Sequence, residues 1–319
     1  MKKIGILTSG GDCSGMNACI RAAVRTGLRL NLEVVGFRKG YLGLMKGDCI
    51  SLDNRAVSGI MHRGGTFLQS ARSQEFRTLA GQQQAIDILK RFDIDALVIL
   101  GGDGSLAGAL ALHKLGFPVV GVPASIYNDI PFTDMALGVD TALNNIIYAV
   151  DCIKDTASSH ARAFVIEVMG RNSGYLASVS AISCGAEFAL VPEREYDLSE
   201  ICQQLRHRYE EGRDNAIIIL AEGAGTGHEI ADSIKDAIGF ETRVTVLGHY
   251  QRGGAPTVFD RLLASRFGKK AVELLVSGQS GVMVGLSCNT VLATPIEDVI
   301  KGEKRPQDEM LRLAEVLGI

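Results

Sequence analysis

Ala96-Leu-Val-Ile-Leu-Gly-Gly-Asp-Gly-Ser105 is the stretch that decides the fold class of this 319-residue chain. Five apolar residues run directly into a glycine-rich turn that carries one carboxylate, Asp103. A short, continuous apolar run is typical of a parallel strand that is covered on both faces. The turn then opens a helical pattern, for which Ser105 is the expected N-cap. A strand, a glycine-rich turn and a helix in this order predict an α/β fold.

The same alternation continues on both sides of this stretch. Further strands are predicted at Ile4–Leu7, Val119–Val122, Phe164–Val168, Ala216–Leu220 and Arg243–Leu247. Helical periodicity is found at Met16–Leu28, Gln82–Arg91, Thr141–Ala157, Leu198–Tyr209 and Phe259–Val276. This alternation predicts mostly parallel sheets. No low-complexity linker or repeat marks a domain boundary, so composition leaves the number of domains open.

Composition excludes several classes of protein. With 46% hydrophobic and 22% charged residues, the chain can bury a large core. A net charge of -3 gives no attraction to nucleic acid or to an anionic membrane, so neither is an expected partner. No apolar run reaches the roughly 18 residues that span a bilayer, and a glycine-rich turn interrupts any signal-peptide core, so a cytoplasmic location is expected. The 7 cysteines show no CxxC pairing and predict reduced thiols.

Ligands of parallel α/β sheets bind beyond the carboxyl ends of the strands, and the glycines and acids of this chain cluster there. The first strand runs into Thr8-Ser-Gly-Gly-Asp12 and then Gly15. These glycines form either a phosphate cradle at a helix N-terminus or a turn that needs glycine for packing. Asp103 suits a magnesium ion shared with nucleotide phosphates. Its motif also resembles the nucleotide site of NAD kinases and diacylglycerol kinases, so it indicates a phosphate site without naming a substrate.

Basic residues collect near the later strands, at Arg162, Arg171, Arg243, His249 and Arg252. Guanidinium groups match phosphate oxygens, so this set suits a sugar phosphate, although each member alone is more often a surface residue. Two acids also follow strands. Glu222 would accept hydrogen bonds from sugar hydroxyls or be a solvated loop acid, and Asp129 would serve the site or cap a turn.

Taken together and in this order, the motifs resemble those of bacterial ATP-dependent 6-phosphofructokinases. The matching segments are Thr8-Ser-Gly-Gly-Asp12, Gly15-Met-Asn-Ala18, Arg63-Gly-Gly-Thr66, Gly101-Gly-Asp-Gly-Ser105, Asn128-Asp-Ile130, Glu167-Val-Met-Gly-Arg171, Glu241-Thr-Arg-Val-Thr-Val-Leu-Gly-His249 and Gln251-Arg-Gly-Gly254. The resemblance runs from residue 1 to about residue 290. It implies two similar three-layer α/β domains: a larger, ATP-binding one (1–138 plus 251–301) and a smaller, sugar-phosphate-binding one (139–250 plus 302–319).

The resemblance also implies the ligands and their residues. ATP and Mg²⁺ would be surrounded by Gly11, Tyr41, Arg72, Phe76 or its neighbours, Gly102, Asp103, Gly104, Ser105 and Gly108. The metal ligands would be Asp103 and Asp129, and the catalytic group would comprise position 127 with Ser125, Asp129, Arg171 and Arg72. Gly104 favours ATP over diphosphate, because diphosphate-using relatives carry Asp there, while Ala124 is a weaker indicator.

Fructose 6-phosphate is the acceptor that the resemblance implies, phosphorylated at its 1-hydroxyl to fructose 1,6-bisphosphate in glycolysis. Arg162 and Arg243 would reach the sugar phosphate of a neighbouring subunit of a homotetramer. The subunit's own substrate residues would be Met169, Glu222, His249 and Arg252. The expected partners are therefore ATP, fructose 6-phosphate and further copies of the chain.

The catalytic loop departs from the family pattern. The family reads Gly-Thr-Ile-Asp-Asn-Asp where this chain has Ala124-Ser-Ile-Tyr-Asn-Asp129, and Phe132 stands where glycine is usual. Tyr127 thus replaces the catalytic base. A phenol of ordinary pKa, about 10, is almost fully protonated at neutral pH and is a poor proton acceptor. Strongly reduced turnover is expected.

The effector pocket of the family, formed between subunits, is only partly matched. Suitable chemistry is kept at Arg21, Arg25, Lys154, Glu187 and Arg213, whereas the expected pattern is lost at Asn54, Gly59, Glu211 and Asn215. Regulation by a nucleotide diphosphate is therefore expected to be weakened or altered.

Two functional hypotheses follow from these departures. The first is a phosphofructokinase with low activity. The second is a non-catalytic or regulatory subunit that binds the same ligands and assembles into a mixed tetramer with an active paralogue. An engineered Tyr127 is disfavoured by the other changes in the loop, and a changed acceptor sugar stays open.

Overall fold

A computed structural model of the chain describes residues 1–160, 162–213, 215–238, 241–304 and 308–318. The chain divides into two compact units. Unit 1 comprises Met1–Ile126, Ile130–Thr141 and Arg252–Lys304, and unit 2 comprises Tyr127–Asp129, Ala142–Gln251 and Arg305–Ile319. Residues 305–307 and 319, which the resemblance assigns to the smaller domain, lie outside the described residues.

The secondary structure alternates between strands and helices along the chain. The strands are β1 Lys3–Thr8, β2 Glu33–Phe37, β3 Cys49–Ser51, β4 Ala96–Gly101, β5 Val119–Pro123, β6 Ala163–Val168, β7 Phe188–Leu190, β8 Ala216–Ala221, β9 Thr242–Val246, β10 Val282–Ser287 and β11 Thr290–Pro295. The helices are α1 Met16–Arg29, α2 Gly40–Lys46, α3 Leu79–Arg91, α4 Asp103–Lys114, α5 Val139–His160, α6 Tyr175–Cys184, α7 Leu198–Glu210, α8 Gly227–Ile238, α9 Val258–Val276, α10 Ile296–Lys301 and α11 Asp308–Gly318. Among the described residues, no helix is both long and apolar enough to cross a membrane.

The seven-stranded sheet of unit 1 has the order β11-β10-β5-β4-β1-β2-β3. Its central strands β1, β4 and β5 are parallel and almost fully buried, as their continuous apolar runs predict. The register pairs Thr8 with Leu100 and Gly101 with Pro123. The loops that follow these three strands therefore leave the sheet side by side.

The four-stranded sheet of unit 2 has the order β7-β8-β6-β9, and its strand pairs are parallel. Val165, Ile218 and Leu220 lie in its core, which the helices α7 and α8 cover. In unit 1 the pairs β2–β3 and β10–β11 are antiparallel. The predicted α/β class with mostly parallel sheets is confirmed.

The predicted N-cap of α4 is wrong. The helix begins at Asp103, and Gly102 is its N-cap, with extended backbone and no side-chain cap. The Gly102 carbonyl accepts hydrogen bonds from the N–H groups of Ser105 and Leu106, both at 3.0 Å. Ser105 is instead the third residue of the helix and is buried. Because the N-cap residue is glycine, it has no side-chain oxygen to accept a hydrogen bond from the first N–H groups of α4.

A buried carboxylate joins α9 to the beginning of α5 within unit 1. Asp260 is fully buried. Its Oδ1 accepts a hydrogen bond from Gly138 N at 2.9 Å, and its Oδ2 accepts from Thr141 N at 2.8 Å and Thr141 Oγ1 at 2.5 Å. Burial raises the pKa of Asp260, while the bonds from Thr141 and Gly138 oppose that shift. Gly138 in turn packs against Cys13 of the first glycine-rich turn.

Replacing Asp260 by Ala is expected to destabilise unit 1 by about 3 kcal/mol, because buried N–H and O–H donors lose their acceptor. Urea unfolding followed by circular dichroism measures this. Asp87→Ala on the exposed side of α3 is the matched control and is expected to change stability by about 0.5 kcal/mol or less. Equal effects of the two changes would contradict a structural role for the Asp260 carboxylate.

Candidate active site

The first glycine-rich turn of unit 1 is held close to its neighbours. Gly10 and Gly15 have positive φ values of 82° and 104°, which a residue with a side chain adopts only with strain. A Cβ on Gly11 would lie 2.6 Å from Nη1 of Arg252. That guanidinium also donates a hydrogen bond to the Asp12 carbonyl at 3.0 Å. The structure thus brings Gly11 and Arg252 together within unit 1.

The N-terminus of α4 is open, in contrast to the turn before it. A Cβ on Gly101 would collide with Ser105 and with the Ser9 carbonyl, whereas a Cβ on Gly104 would meet nothing within 4 Å. Asp103 is exposed in the first helical turn. The N–H groups and the dipole of a helix N-terminus attract an anion, and a carboxylate in the first turn attracts a cation. This end of α4 can therefore hold a metal–phosphate pair.

Tyr41 supports α4 from the side. Its hydroxyl donates a hydrogen bond to the Ser105 carbonyl at 2.6 Å, and its ring stacks on Phe76 with 3.9 Å between ring centroids. Burial raises the pKa of Tyr41, so the phenol stays protonated and remains a donor. The ring also faces Gly108, where a Cβ would lie 2.7 Å from its atoms. Four residues of the predicted nucleotide set thus form one packed group.

The remaining predicted residue of this set in unit 1 is Arg72. It is exposed in the loop before the short 3-10 helix Glu75–Arg77. Its part in catalysis stays a prediction. Ser125 follows β5 by two residues and is partly buried.

Tyr127 is buried in unit 2 with 6% of its surface exposed. The guanidinium carbon of Arg171 lies over its ring, 5.0 Å from the centroid, which is within the range of a cation–π contact. The Tyr127 carbonyl accepts a hydrogen bond from Ser173 Oγ at 3.2 Å. Arg171 and Asn128 both have φ values of 52°, a left-handed conformation. Tyr127, at the predicted position of the base, is therefore packed against Arg171, which the resemblance places in the predicted catalytic group. Asp129 is two residues further along the chain and is partly buried.

The carboxyl ends of β6 and β8 hold a second group of predicted residues. Glu222 Oε1 accepts hydrogen bonds from Gly170 N at 3.0 Å and Arg171 N at 2.8 Å. Met169 N donates to Gln251 Oε1 at 3.2 Å, and Gln251 is buried. His249 lies exposed in the 3-10 helix Gly248–Arg252, beyond β9. Gln251 belongs to a segment that matches the family but was not among the predicted site residues, although its side chain contacts Met169, which was.

Arg162 and Arg243 lie at the amino ends of strands of the same sheet, opposite to the carboxyl ends that hold the second group. Arg162 directly precedes β6, and Arg243 is the second residue of β9. Both pair with Glu241: Arg162 Nε donates to Oε2 at 2.5 Å, and Arg243 Nη2 pairs with Oε1. Bonding to Arg162, together with the charges of Arg162, Arg243 and Lys235, lowers the pKa of Glu241. Local sequence patterns do not predict this pairing, because Glu241 is 79 residues from Arg162.

The predicted effector residues are divided between the units. In unit 1, Arg21 and Arg25 lie one helical turn apart on α1, and partial burial followed by the Arg25 charge lowers the pKa of Arg21. In unit 2, Lys154 donates to the Cys184 carbonyl. Glu187 pairs with Arg208 at 3.4 Å and accepts from Ile217 N at 2.6 Å.

These unit 2 contacts give Lys154 and Glu187 structural partners, and Arg213 is exposed after α7. Nucleotide diphosphate binding by the five residues stays a prediction.

Within unit 1, a sheet with glycine-rich turns at the ends of adjacent parallel strands and an open helix N-terminus is typical of α/β proteins that bind phosphate groups. Residues 3–275 match the family model described as phosphofructokinase, and the chain belongs to this family. It is 51% identical over 319 residues to the ATP-dependent 6-phosphofructokinase of Halalkalibacterium halodurans and 49% identical to that of Natranaerobius thermophilus, with full coverage of both chains in each case.

A solved structure shows the same fold. Phosphofructokinase from Saccharomyces cerevisiae matches with a TM-score of 0.90 and 35% identity over 100% of this chain. The match covers 48% of the yeast chain, so this chain spans about half of its length.

Two glycines of α4 provide a matched pair of substitutions. Gly108→Ala is expected to destabilise the unliganded protein by about 1–2 kcal/mol, because the added methyl group displaces the stacked Tyr41 ring. Gly104→Ala adds helix propensity in open space and is expected to stabilise it by up to about 1 kcal/mol. Thermal unfolding measures both changes. Effects of the same sign would show that the Tyr41 packing does not constrain α4.

Proposed function

We propose that this protein binds Mg-ATP and fructose 6-phosphate and transfers the γ-phosphoryl group to the 1-hydroxyl of the sugar, with strongly reduced turnover. The observation that carries the proposal is the combination of an open phosphate cradle at α4 with Tyr127 at the position of the proton acceptor. The chain is 51% and 49% identical, over its full length, to two proteins named ATP-dependent 6-phosphofructokinase, and this supports ATP as the phosphoryl donor and fructose 6-phosphate as the acceptor. A cytoplasmic location goes with this role in glycolysis.

The residues at α4 fit a nucleotide phosphate with magnesium. The first turn of α4 has no side-chain cap, and the space beside Gly104 would be filled by a Cβ. Within the described ranges, no group of three or more His, Cys, Asp or Glu side chains is arranged to hold a metal. Magnesium commonly takes one or two carboxylates together with substrate phosphates, so Asp103 suffices on the protein side of this turn, and Asp129 stays a second predicted ligand. Bound there, magnesium would neutralise charge on the phosphates.

Nucleotide binding should depend on the open space at Gly104. We expect Gly104→Ala to weaken ATP binding by about tenfold, since the methyl group fills the phosphate cradle, while the unliganded protein becomes no less stable. Isothermal titration with a non-hydrolysable ATP analogue and Mg²⁺ measures this. Ala107→Gly, at an exposed position of the same helix, is the control and should leave affinity unchanged. Unchanged affinity in Gly104→Ala would remove the cradle from the proposal.

The sugar-phosphate residues support a site completed by a second copy of the chain. Met169 and Glu222 follow the carboxyl ends of β6 and β8, whereas Arg162 and Arg243 lie at the amino ends of β6 and β9. Six strand residues span roughly 20 Å, longer than a hexose phosphate. One ligand can contact both groups only when a neighbouring subunit supplies one of them, which favours the predicted homotetramer. Glu222 Oε2 would then accept from a sugar hydroxyl, since Oε1 is held by the backbone.

Tyr127 weakens catalysis for two reasons. A neutral phenol accepts the proton of the 1-hydroxyl poorly, and general-base catalysis is typically worth about 10²- to 10⁴-fold. The ring also packs under Arg171, whose charge would otherwise stabilise the transferring phosphoryl group. Positioning and charge neutralisation supply most of the catalysis of phosphoryl transfer, so weak activity survives.

Restoring the carboxylate tests the proposal. Tyr127→Asp, alone and combined with Ala124→Gly and Ser125→Thr, is expected to raise kcat by about 10²- to 10⁴-fold in an assay coupled to fructose 1,6-bisphosphate. Tyr127→Phe keeps the ring on Arg171 but removes the hydroxyl, and it should leave the low activity unchanged. If Tyr127→Phe abolishes activity while Tyr127→Asp does not raise it, the phenol itself is the proton acceptor.

The contact between Arg171 and Tyr127 also favours a second candidate function, that of a regulatory subunit which binds both ligands without turnover. Such a subunit would lend Arg162 and Arg243 to an active paralogue in a mixed tetramer. Co-expression with an active homologue, followed by native mass spectrometry, distinguishes the two. The regulatory role is supported if mixed tetramers form and if their activity is lower when this chain carries Arg243→Ala. Assembly of each chain only with itself argues against it.

A further inference from the structure

Three charged residues, Arg162, Glu241 and Arg243, lie on one face of the unit 2 sheet, at the amino ends of β6 and β9. Glu241 and Arg243 are two positions apart on the β9 segment, so they point to the same face. The register pairs Ala163 with Thr242, and Ala163 N donates to the Glu241 carbonyl at 3.0 Å. Arg162 and Glu241 therefore occupy equivalent positions before neighbouring parallel strands.

Glu241 divides its two carboxylate oxygens between the arginines. Oε2 accepts from the inner Nε of Arg162, and Oε1 pairs with a terminal nitrogen of Arg243. No other side-chain hydrogen bond or ion pair of either arginine is found within the described residues. The terminal nitrogens of Arg162 and one terminal nitrogen of Arg243 thus remain for an anion. The three side chains are 26%, 43% and 54% exposed for Arg162, Glu241 and Arg243, so an anion can reach them.

Charge also fits a bound phosphate. Two guanidinium groups and one carboxylate leave a net charge of +1 at this face. Without Glu241 the two guanidinium groups would repel each other and would have no common hydrogen-bond partner. Ordering their side chains would then cost free energy when the ligand binds. The low pKa of Glu241 keeps the carboxylate ionised at neutral pH.

We infer that Glu241 is a positioning residue that holds Arg162 and Arg243 as one preformed clamp for the phosphate group of a phosphorylated sugar. The inference rests on the proposed function, because the two arginines are the predicted sugar-phosphate ligands. Glu241 acts through them and touches no reacting atom. It deepens the proposed site by explaining how two arginines from separate strands meet one phosphate.

Glu241→Gln tests this role with a clear sign. The amide keeps the shape but removes the charge-assisted bonds, so the clamp loosens and fructose 6-phosphate should bind about tenfold more weakly in isothermal titration. Loss of a nearby negative charge acts in the opposite direction and by itself strengthens phosphate binding. Weaker binding therefore reports position rather than net charge. Glu195→Gln, an exposed acid of the same unit, is the control and should bind as the unaltered protein does.

Two further variants separate positioning from a folding effect. Glu241→Asp restores a shorter carboxylate and should recover part of the lost affinity. Arg243→Ala removes half of the clamp and should weaken binding more than Glu241→Gln. The melting temperature of Glu241→Gln should stay close to that of the unaltered protein, because an exposed ion pair adds little stability.

Affinity of Glu241→Gln equal to or tighter than that of the unaltered protein would overturn the inference while leaving the proposed function in place. If the unaltered protein binds no fructose 6-phosphate, the proposed function fails. Titration of inorganic phosphate into the same set of variants then tests the clamp. Weaker phosphate binding by Glu241→Gln than by the unaltered protein supports the inference. Equal binding by the two proteins, or no binding by the unaltered protein, overturns it.

Discussion

The parallel register of β1, β4 and β5 is the constraint on which the proposed nucleotide site depends. It places Ser9, Gly102 and Ala124 at neighbouring strand ends, fixed by bonds from Ser9 N to the Leu100 carbonyl at 2.9 Å and from Ala124 N to the Gly101 carbonyl at 3.0 Å. Three loops thereby leave one edge of the sheet together. The proposed phosphate cradle and the beginning of the predicted catalytic loop lie at this edge, and ligands of such sheets bind beyond the carboxyl ends of the strands.

The same rule, applied to unit 2, separates its predicted residues into two groups. Met169, Arg171 and Glu222 lie in loops that follow the carboxyl ends of strands, whereas Arg162 and Arg243 lie at the amino ends of strands. In the proposed function, one sugar phosphate contacts both groups only when a neighbouring copy of the chain supplies one of them.

Local pattern was enough to predict buried strands such as β4 and β8, because a short continuous apolar run like Ala96–Leu100, followed by glycine, is typical of a strand that is covered on both faces. It did not indicate β2 or β10, which are also mostly buried. It failed at the α4 cap, where glycine backbone geometry outweighed the usual preference for a hydroxyl. Local pattern cannot predict contacts between residues that are distant in the sequence, because tertiary packing determines them. Examples are the contacts of Asp260 with Thr141 and of Glu241 with Arg162. Phe132 has a φ of 60°, a strained value that explains why glycine suits this position.

The central claim is that binding and proton transfer have separated in this chain. A single-turnover experiment with labelled ATP and saturating fructose 6-phosphate, on protein whose binding of both ligands has been measured by calorimetry, tests it most directly. The account predicts clear binding of both ligands and phosphoryl transfer at least about 10²-fold slower than the 1–100 s⁻¹ typical of kinases. Transfer within that ordinary range, with Tyr127 in place, would contradict it.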